Sequence, residues 1–290
     1  MSTEFELKDL IKDGIEKLQK ASDLDATVDA WLLAEEVLGI TRVQYFINPQ
    51  RLVNKEDADK FFKFIDMRCN KIPLQHITGK QEFMGLSFNV NEDVLIPRQD
   101  TELLVEMVLN YLKQKIQGKK VKVLDMCTGS GCIAISIKKL AENVDVTAVD
   151  LSQNALKVAI DNAKQLDAKV TFIESDLFEN VSGKYDIIVS NPPYIRKSDI
   201  ETLMEEVKNH EPMMALDGDE DGLIFYKKIS EKLNEYLSDD GMIFYEIGYD
   251  QGKTVPDILK QYNFKDINVY KDLSGNDRVV IARKGEENVW

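Results

Sequence analysis

The chain reads as an α/β protein: a Rossmann-like sheet preceded by a small helical bundle and a β-hairpin linker. Three observations predict this. From Arg98 onward apolar runs of strand length alternate with helical patterns, which implies a mainly parallel sheet covered by helices. The first seventy or so residues show only helical spacing. Between the two lies a stretch broken by Pro73 and Gly79 that alternates around Gly85. The expected division is therefore residues 1–72 helical, 73–97 linker and 98–290 catalytic.

In the first segment Phe5, Leu7, Leu10, Ile11, Ile15 and Leu18 form one stripe at three- and four-residue steps. Ala26 to Leu38 is a second helix, with Gly39 at a left-handed C-cap. Lys55 to Cys69 is a third, with Asn54 as N-cap. Phe83 to Val90 alternates as a short hairpin. Beyond it come a helix at Thr101–Lys115, a strand at Val121–Asp125, a helix at Ile133–Leu140 and a strand at Val144–Asp150. A helix at Gln153–Gln165 and a strand at Val170–Ile173 follow. Tyr185–Ser190, Gly241–Ile247, Asn268–Tyr270 and Val279–Ala282 supply the later strands.

Bulk composition narrows the function classes. With 290 residues, 43% hydrophobic and 30% charged, the chain has the makeup of a globular protein of one large or two modest domains. Its net charge of −14 disfavours sequence-independent nucleic-acid binding, which needs Lys and Arg on phosphates. The pairs Lys119-Lys120 and Lys138-Lys139 read as solvated faces. No apolar run reaches membrane-spanning length, and the acidic N-terminus does not resemble a secretory signal, so a cytoplasmic protein is expected. Cys69, Cys127 and Cys132 are sparse and odd in number, as for reduced thiols. With no histidine near them, no metal site is expected. His76 and His210 sit in separate segments and read as structural.

Two stretches carry chemistry. Val123 to Gly131 joins a strand to a helix through a turn holding Gly129 and Gly131, which lets backbone approach a ligand closely. Asp150 closes the next strand about twenty residues on, where it can hold a ribose. Asp176 closes the third strand, where an adenine edge can lie. The turn offers Gly-x-Gly with Ala134 at the third small position, an allowed dinucleotide variant. Asp125, however, would repel a pyrophosphate and suits the ammonium or sulfonium of S-adenosylmethionine. The second stretch is Asn191-Pro192-Pro193-Tyr194, directly after the apolar run Tyr185–Ser190. Two prolines end a strand ladder and stiffen the turn. They hold an amide and a phenol at the sheet's carboxyl end, where ligands bind in open α/β sheets.

No general base is evident in this motif, so the expected chemistry is positioning. The Asn191 oxygen and the Pro192 carbonyl accept the two N–H bonds of a target amide, and the Tyr194 ring packs on its chain.

These residues resemble class I S-adenosylmethionine-dependent methyltransferases acting on exocyclic or amide nitrogen. The likeness runs through Asp125, Thr128, Gly129, Gly131, Asp150, Asp176 and Asn191–Tyr194. The flanks narrow it. Pro73–Gly79, Leu95–Arg98 with Thr101-Glu102, Glu211-Pro212, Asp221–Leu223 and Lys271–Arg278 resemble the release-factor glutamine methyltransferases, over nearly the whole chain. That resemblance implies methylation of the side-chain amide nitrogen (N5) of the glutamine in the Gly-Gly-Gln motif of peptide-chain release factors. It implies S-adenosylmethionine as donor, S-adenosylhomocysteine as product, and no metal. By position it implies that Cys127, Thr128, Gly129, Ser130, Gly131, Asp150, Leu177 and Asn191 contact the donor, and that Asn191, Pro192, Pro193 and Tyr194 hold the glutamine. Four positions depart from the family pattern: Cys127 and Asp219 replace glycines, and Gln99-Asp100 replaces Pro-Glu. The alternative is a nucleic-acid base N-methyltransferase, which can use the same tetrapeptide on a flipped base.

Overall fold

The computed structural model describes residues 4–21, 25–115 and 120–285. Lys119 and the first three residues of the acidic N-terminus lie outside them. The chain forms two compact units, Met1–Gly79 with Met204–His210, and Lys80–Leu203 with Glu211–Trp290.

The first unit is built on three helices, Leu7–Lys20, Ala26–Leu38 and Lys55–Cys69. Their inward stripes place Leu10, Leu18, Leu33, Phe61 and Ile65 in one core. Asn54 caps the third helix by accepting from the Asp57 N–H at 2.9 Å, and Gly39 ends the second at φ 59°. The structure adds a short helix, Arg42–Ile47, closed by a capping box between Thr41 and Gln44. Sequence spacing also gave no hint that Glu205–His210 belongs with this unit. Its Glu206 accepts from Arg68 Nη1 at 2.6 Å, while Arg68 Nε donates to Asp29 at 2.7 Å. One buried guanidinium thus satisfies two carboxylates from distant parts of the chain.

In the second unit a hairpin, Lys80–Phe83 with Leu86–Asn89, turns through Met84 and Gly85, both at positive φ. Its Phe83 and Phe88 are buried in the main core. Seven strands follow: β1 Val121–Met126, β2 Val144–Asp150, β3 Val170–Glu174, β4 Tyr185–Ser190, β5 Leu237–Glu246, β6 Lys265–Lys271 and β7 Asp277–Arg283. The sheet order is β3-β2-β1-β4-β5-β7-β6, with β7 antiparallel to both neighbours and the other pairs parallel.

Strand side chains alternate between faces, and the core divides accordingly. Ile187, Val189 and Phe244 meet the helices Gln99–Lys115 and Cys132–Leu140; Ile188, Ile243 and Tyr245 meet Ile224–Tyr236 and Thr254–Gln261. The last two helices were not anticipated. β5 starts four residues before the expected Gly241, because Leu237 pairs with Tyr185 despite the turn-like residues between them. β3 ends at Glu174, so Asp176 lies in the loop beyond it.

The strand order reverses between β1 and β4, each reaching its neighbours on opposite sides. In doubly wound sheets a crevice opens at the carboxyl ends of such strands. Here those ends carry Cys127–Gly131 and Asn191–Tyr194.

Candidate active site

A cavity of about 1030 Å³, counting the space open to solvent, lies at this switch point. Cys127, Thr128, Gly129, Ser130, Asp150, Asp176, Leu177, Asn191 and Pro193 all line it. Asp125, Gly131, Pro192 and Tyr194 do not.

The turn after β1 is organised from beneath. Asp125 is fully buried, and its Oδ2 accepts from the Thr128 hydroxyl at 2.5 Å and the Ala134 N–H at 3.2 Å. Its Oδ1 has no hydrogen-bond partner, and burial pushes its carboxyl up to about 7. Asn162, also fully buried, donates to the Ser130 carbonyl at 3.0 Å and ties the turn to the hairpin through Asn89. Cys127 takes φ 64°, the left-handed region that favours glycine. The two glycines differ in use. At Gly131 a Cβ would lie 2.9 Å from Ile135 and 3.0 Å from Ala159, so this glycine packs helix on helix. At Gly129 a Cβ would meet nothing within 4 Å, and the bare backbone faces the cavity.

Asp150 closes β2 with both oxygens engaged by backbone: Oδ2 accepts from Gly129 N–H at 2.8 Å and Oδ1 from Ser152 N–H at 2.9 Å. Each oxygen keeps a lone pair for a ligand hydroxyl. Burial raises its pKa, against those backbone bonds. Asp176 also lines the cavity, beside Leu177 at φ 49°. Ser175 shapes this loop by donating to the Leu177 carbonyl at 2.8 Å. Carboxylates on this wall oppose a phosphate and leave room for a cationic or neutral ligand.

On the facing side the tetrapeptide is braced by distant chain. Ile195 exchanges backbone bonds with Leu216 (3.0 Å) and Gly218 (2.8 Å). A Cβ on Gly222 would sit 2.4 Å from the Tyr194 carbonyl oxygen, so only glycine fits. The Gln251 amide donates to the carbonyls of Tyr194 and Gly222, at 3.2 and 3.1 Å. Asp219 adopts φ 69°, which an aspartate tolerates. Arg98 forms an ion pair with buried Glu211, which also accepts from the Ile96 N–H at 3.3 Å. Asp100, in the other departing position, pairs with Arg278 at 3.3 Å.

Tyr194 is held from behind. Its ring packs against the core behind β4, and its hydroxyl points to Glu246 Oε1 at 3.4 Å. Glu246 closes β5 at 2% exposure, and sequence reasoning passed over it. The missed signal was available: an acid ending an apolar strand is the pattern that singled out Asp125 and Asp150. Thr101 was read only as a helix start and part of a family motif, yet its hydroxyl accepts from Asn191 Nδ2 at 3.3 Å. Gln251, Phe225 and Met214 join the site or its support through tertiary packing alone and carried no sequence signal.

Among the described residues no group of three or more His, Cys, Asp or Glu is arranged to hold a metal ion. None of their helices is long and apolar enough to cross a membrane.

Residues 9–79 match the PrmC N-terminal domain and residues 99–214 the methyltransferase small domain. A release factor glutamine methyltransferase from Clostridium botulinum is 44% identical over 283 residues, 96% of this chain and 99% of the relative. One from Fusobacterium nucleatum is 42% identical over 281 residues, 95% of this chain and 78% of the relative. Among solved structures, the hMettl16 catalytic domain in complex with the MAT2A 3'UTR hairpin 6 superposes with a TM-score of 0.57 at 15% identity. That match covers 83% of this chain and 87% of the other, and it shows the fold alone. By its match to these curated relatives across nearly its full length, the chain belongs to the release factor glutamine methyltransferase family.

Proposed function

We propose that the chain methylates the N5 amide nitrogen of the glutamine in the Gly-Gly-Gln motif of peptide-chain release factors, with S-adenosylmethionine as donor. The observation that carries this reading is the presence of Asn191 on the same cavity as Gly129, Asp150 and Asp176. The bare backbone at Gly129, the two acidic side chains and the buried Asp125 beneath them fit a nucleoside with a cationic sulfonium. Asp150 would hold the ribose hydroxyls and Asp176 the adenine edge; Cys127 to Gly131 would receive the methionine moiety. When bound, the donor supplies a methyl group activated by positive charge on sulfur.

An amide nitrogen is a poor nucleophile because its lone pair is delocalised into the carbonyl. What this chain contributes is orientation. The Asn191 Oδ1 and the Pro192 carbonyl accept the two N–H bonds of the target amide, fix its nitrogen and favour rehybridisation. Tyr194 contributes by anchoring the turn. The name shared by the curated relatives supports a release factor as the acceptor. The helical unit supplies a surface for the body of that partner: Val43, Phe46 and Ile47 are 68, 76 and 77% exposed.

The test offers full-length release factor, ribosomal RNA and duplex DNA to the enzyme with the same labelled donor. Methyl incorporation is expected in the release factor alone, at the Gly-Gly-Gln glutamine, and is lost when that glutamine becomes glutamate. Transfer to either nucleic acid with none to protein would overturn the reading and favour a base methyltransferase.

A further inference from the structure

S-adenosylmethionine carries a carboxylate at its methionine end, and the cavity that would receive it is acidic. Among the described residues lining that cavity, Asp93, Asp150 and Asp176 are acids and Arg98 is the single strong base. A carboxylate brought into this field is repelled unless one group takes it up. Three N–H groups of the donor turn are already spent. Those of Thr128 and Gly131 go to the carbonyls of Val149 and Thr128, both at 2.9 Å, and that of Gly129 goes to Asp150 at 2.8 Å.

Arg98 has the place and the free valence for this task. Its carbonyl accepts from the Thr101 N–H at 3.1 Å, and the Thr101 hydroxyl meets Asn191. That ties Arg98 to the Asn191 end of the cavity, where the methionine moiety must lie for its methyl to reach the target nitrogen. The Arg98 Nη2 donates to Glu211 Oε1, while Glu211 Oε2 accepts from the Ile96 N–H at 3.3 Å. The Glu211 side chain is 1% exposed and that of Arg98 is 40% exposed. The acid is locked into the protein behind, and the guanidinium stays open in front. A guanidinium is a planar fork of five N–H donors, so the ion pair leaves Nε and Nη1 for a second planar anion. Arg68 shows in this same chain that one guanidinium can serve two carboxylates, those of Asp29 and Glu206.

Resting on the proposed donor, we infer that Arg98, oriented by Glu211, binds the carboxylate of S-adenosylmethionine. The contact fixes the amino-acid end of the donor beside Asn191. It also makes the site selective, because a donor without that carboxylate leaves the guanidinium facing an empty position. Asp150 and Asp176 recognise the nucleoside in either case, so the selectivity belongs to Arg98 and not to the acidic wall.

The test is calorimetric titration of the full-length protein with S-adenosylmethionine and with decarboxylated S-adenosylmethionine, which differ in the carboxylate alone. The wild type is expected to prefer the intact donor by about 10- to 100-fold, the worth of a charge-assisted bidentate contact. Arg98→Gln should bring the two affinities within about 3-fold of each other, by weakening the intact donor and not the decarboxylated one. Because that change leaves buried Glu211 without its cation, Arg98→Gln is also combined with Glu211→Gln, which leaves no buried charge alone and should show the same lost preference. A folded Arg98→Gln protein that keeps the wild-type preference overturns the inference; if it also methylates the release factor poorly, the guanidinium serves the acceptor instead. Equal loss of affinity for both ligands in both variants overturns it too, and assigns Arg98 to the framework. So does a wild type that binds the two ligands equally well, and there the donor itself survives. A wild type that binds neither ligand removes the donor and this contact together.

Discussion

The two halves of the active site are built in different ways. The donor half runs from Asp125 to Leu177, and each of its polar residues sits where a strand of the sheet hands over to a loop. Its support is local: Asp125 organises the turn three to nine residues on, and Asp150 binds the N–H of Gly129 one strand away. The acceptor half shows four consecutive residues but depends on the whole of the second unit. Thr101, Leu216, Gly218, Gly222, Glu246 and Gln251 all brace Asn191–Tyr194. A cofactor common to many enzymes can be held by strand ends alone. Orienting one weakly nucleophilic amide demands that a short turn be immobile, and immobility is supplied from many directions.

This contrast can be broken or sharpened by substitution. The largest effect should come from Asn191→Ala on the acceptor side. It is expected to lower single-turnover methyl transfer by about 1,000-fold, on the order of 4 kcal/mol, while donor affinity changes little. A few-fold loss would mean that the tetrapeptide does not orient the nucleophile.

Next is Gly222→Ala, which touches neither ligand. Its methyl would sit 2.4 Å from the Tyr194 carbonyl, at φ 71°. Strain and overpacking together should cost about 2–4 kcal/mol of stability, read by denaturant melting, and should slow transfer more than they weaken donor binding. Equal losses in both would show that the halves share one framework.

On the donor side Asp150→Ala should weaken S-adenosylmethionine by about 1–3 kcal/mol in a calorimetric titration. An unchanged affinity in a folded variant would remove Asp150 from the site. The smallest effect is expected at Cys127→Gly. Relief of a left-handed side chain and the extra unfolded-state freedom of glycine oppose each other, so thermal stability should move by less than about 1 kcal/mol. A larger gain would show that Cys127 strains the donor turn.

Legibility followed the same division. The seven strands, the Gly39 and Asn54 caps, and the positions of Asp125, Asp150 and Asn191 were readable in the chain, because each is set by short-range pattern: apolar alternation, cap chemistry, or a polar residue closing an apolar run. What stayed hidden depends on contacts between residues far apart. The helix Glu205–His210 is short and carries no apolar stripe of its own, and it belongs to the first unit because Glu206 meets Arg68. The packing of the half-buried Tyr194 ring against the core, with its hydroxyl towards Glu246 of β5, was equally hidden.

The sequence by itself determined the α/β architecture, the donor wall and the asparagine at its edge, since periodicity and strand-end chemistry act over a few residues. The tertiary structure alone decided which way Asn191 and Tyr194 face. The hydrogen-bond partners that orient them lie 90 and 52 residues away in the chain, and only closure of the sheet brings those groups up to the tetrapeptide.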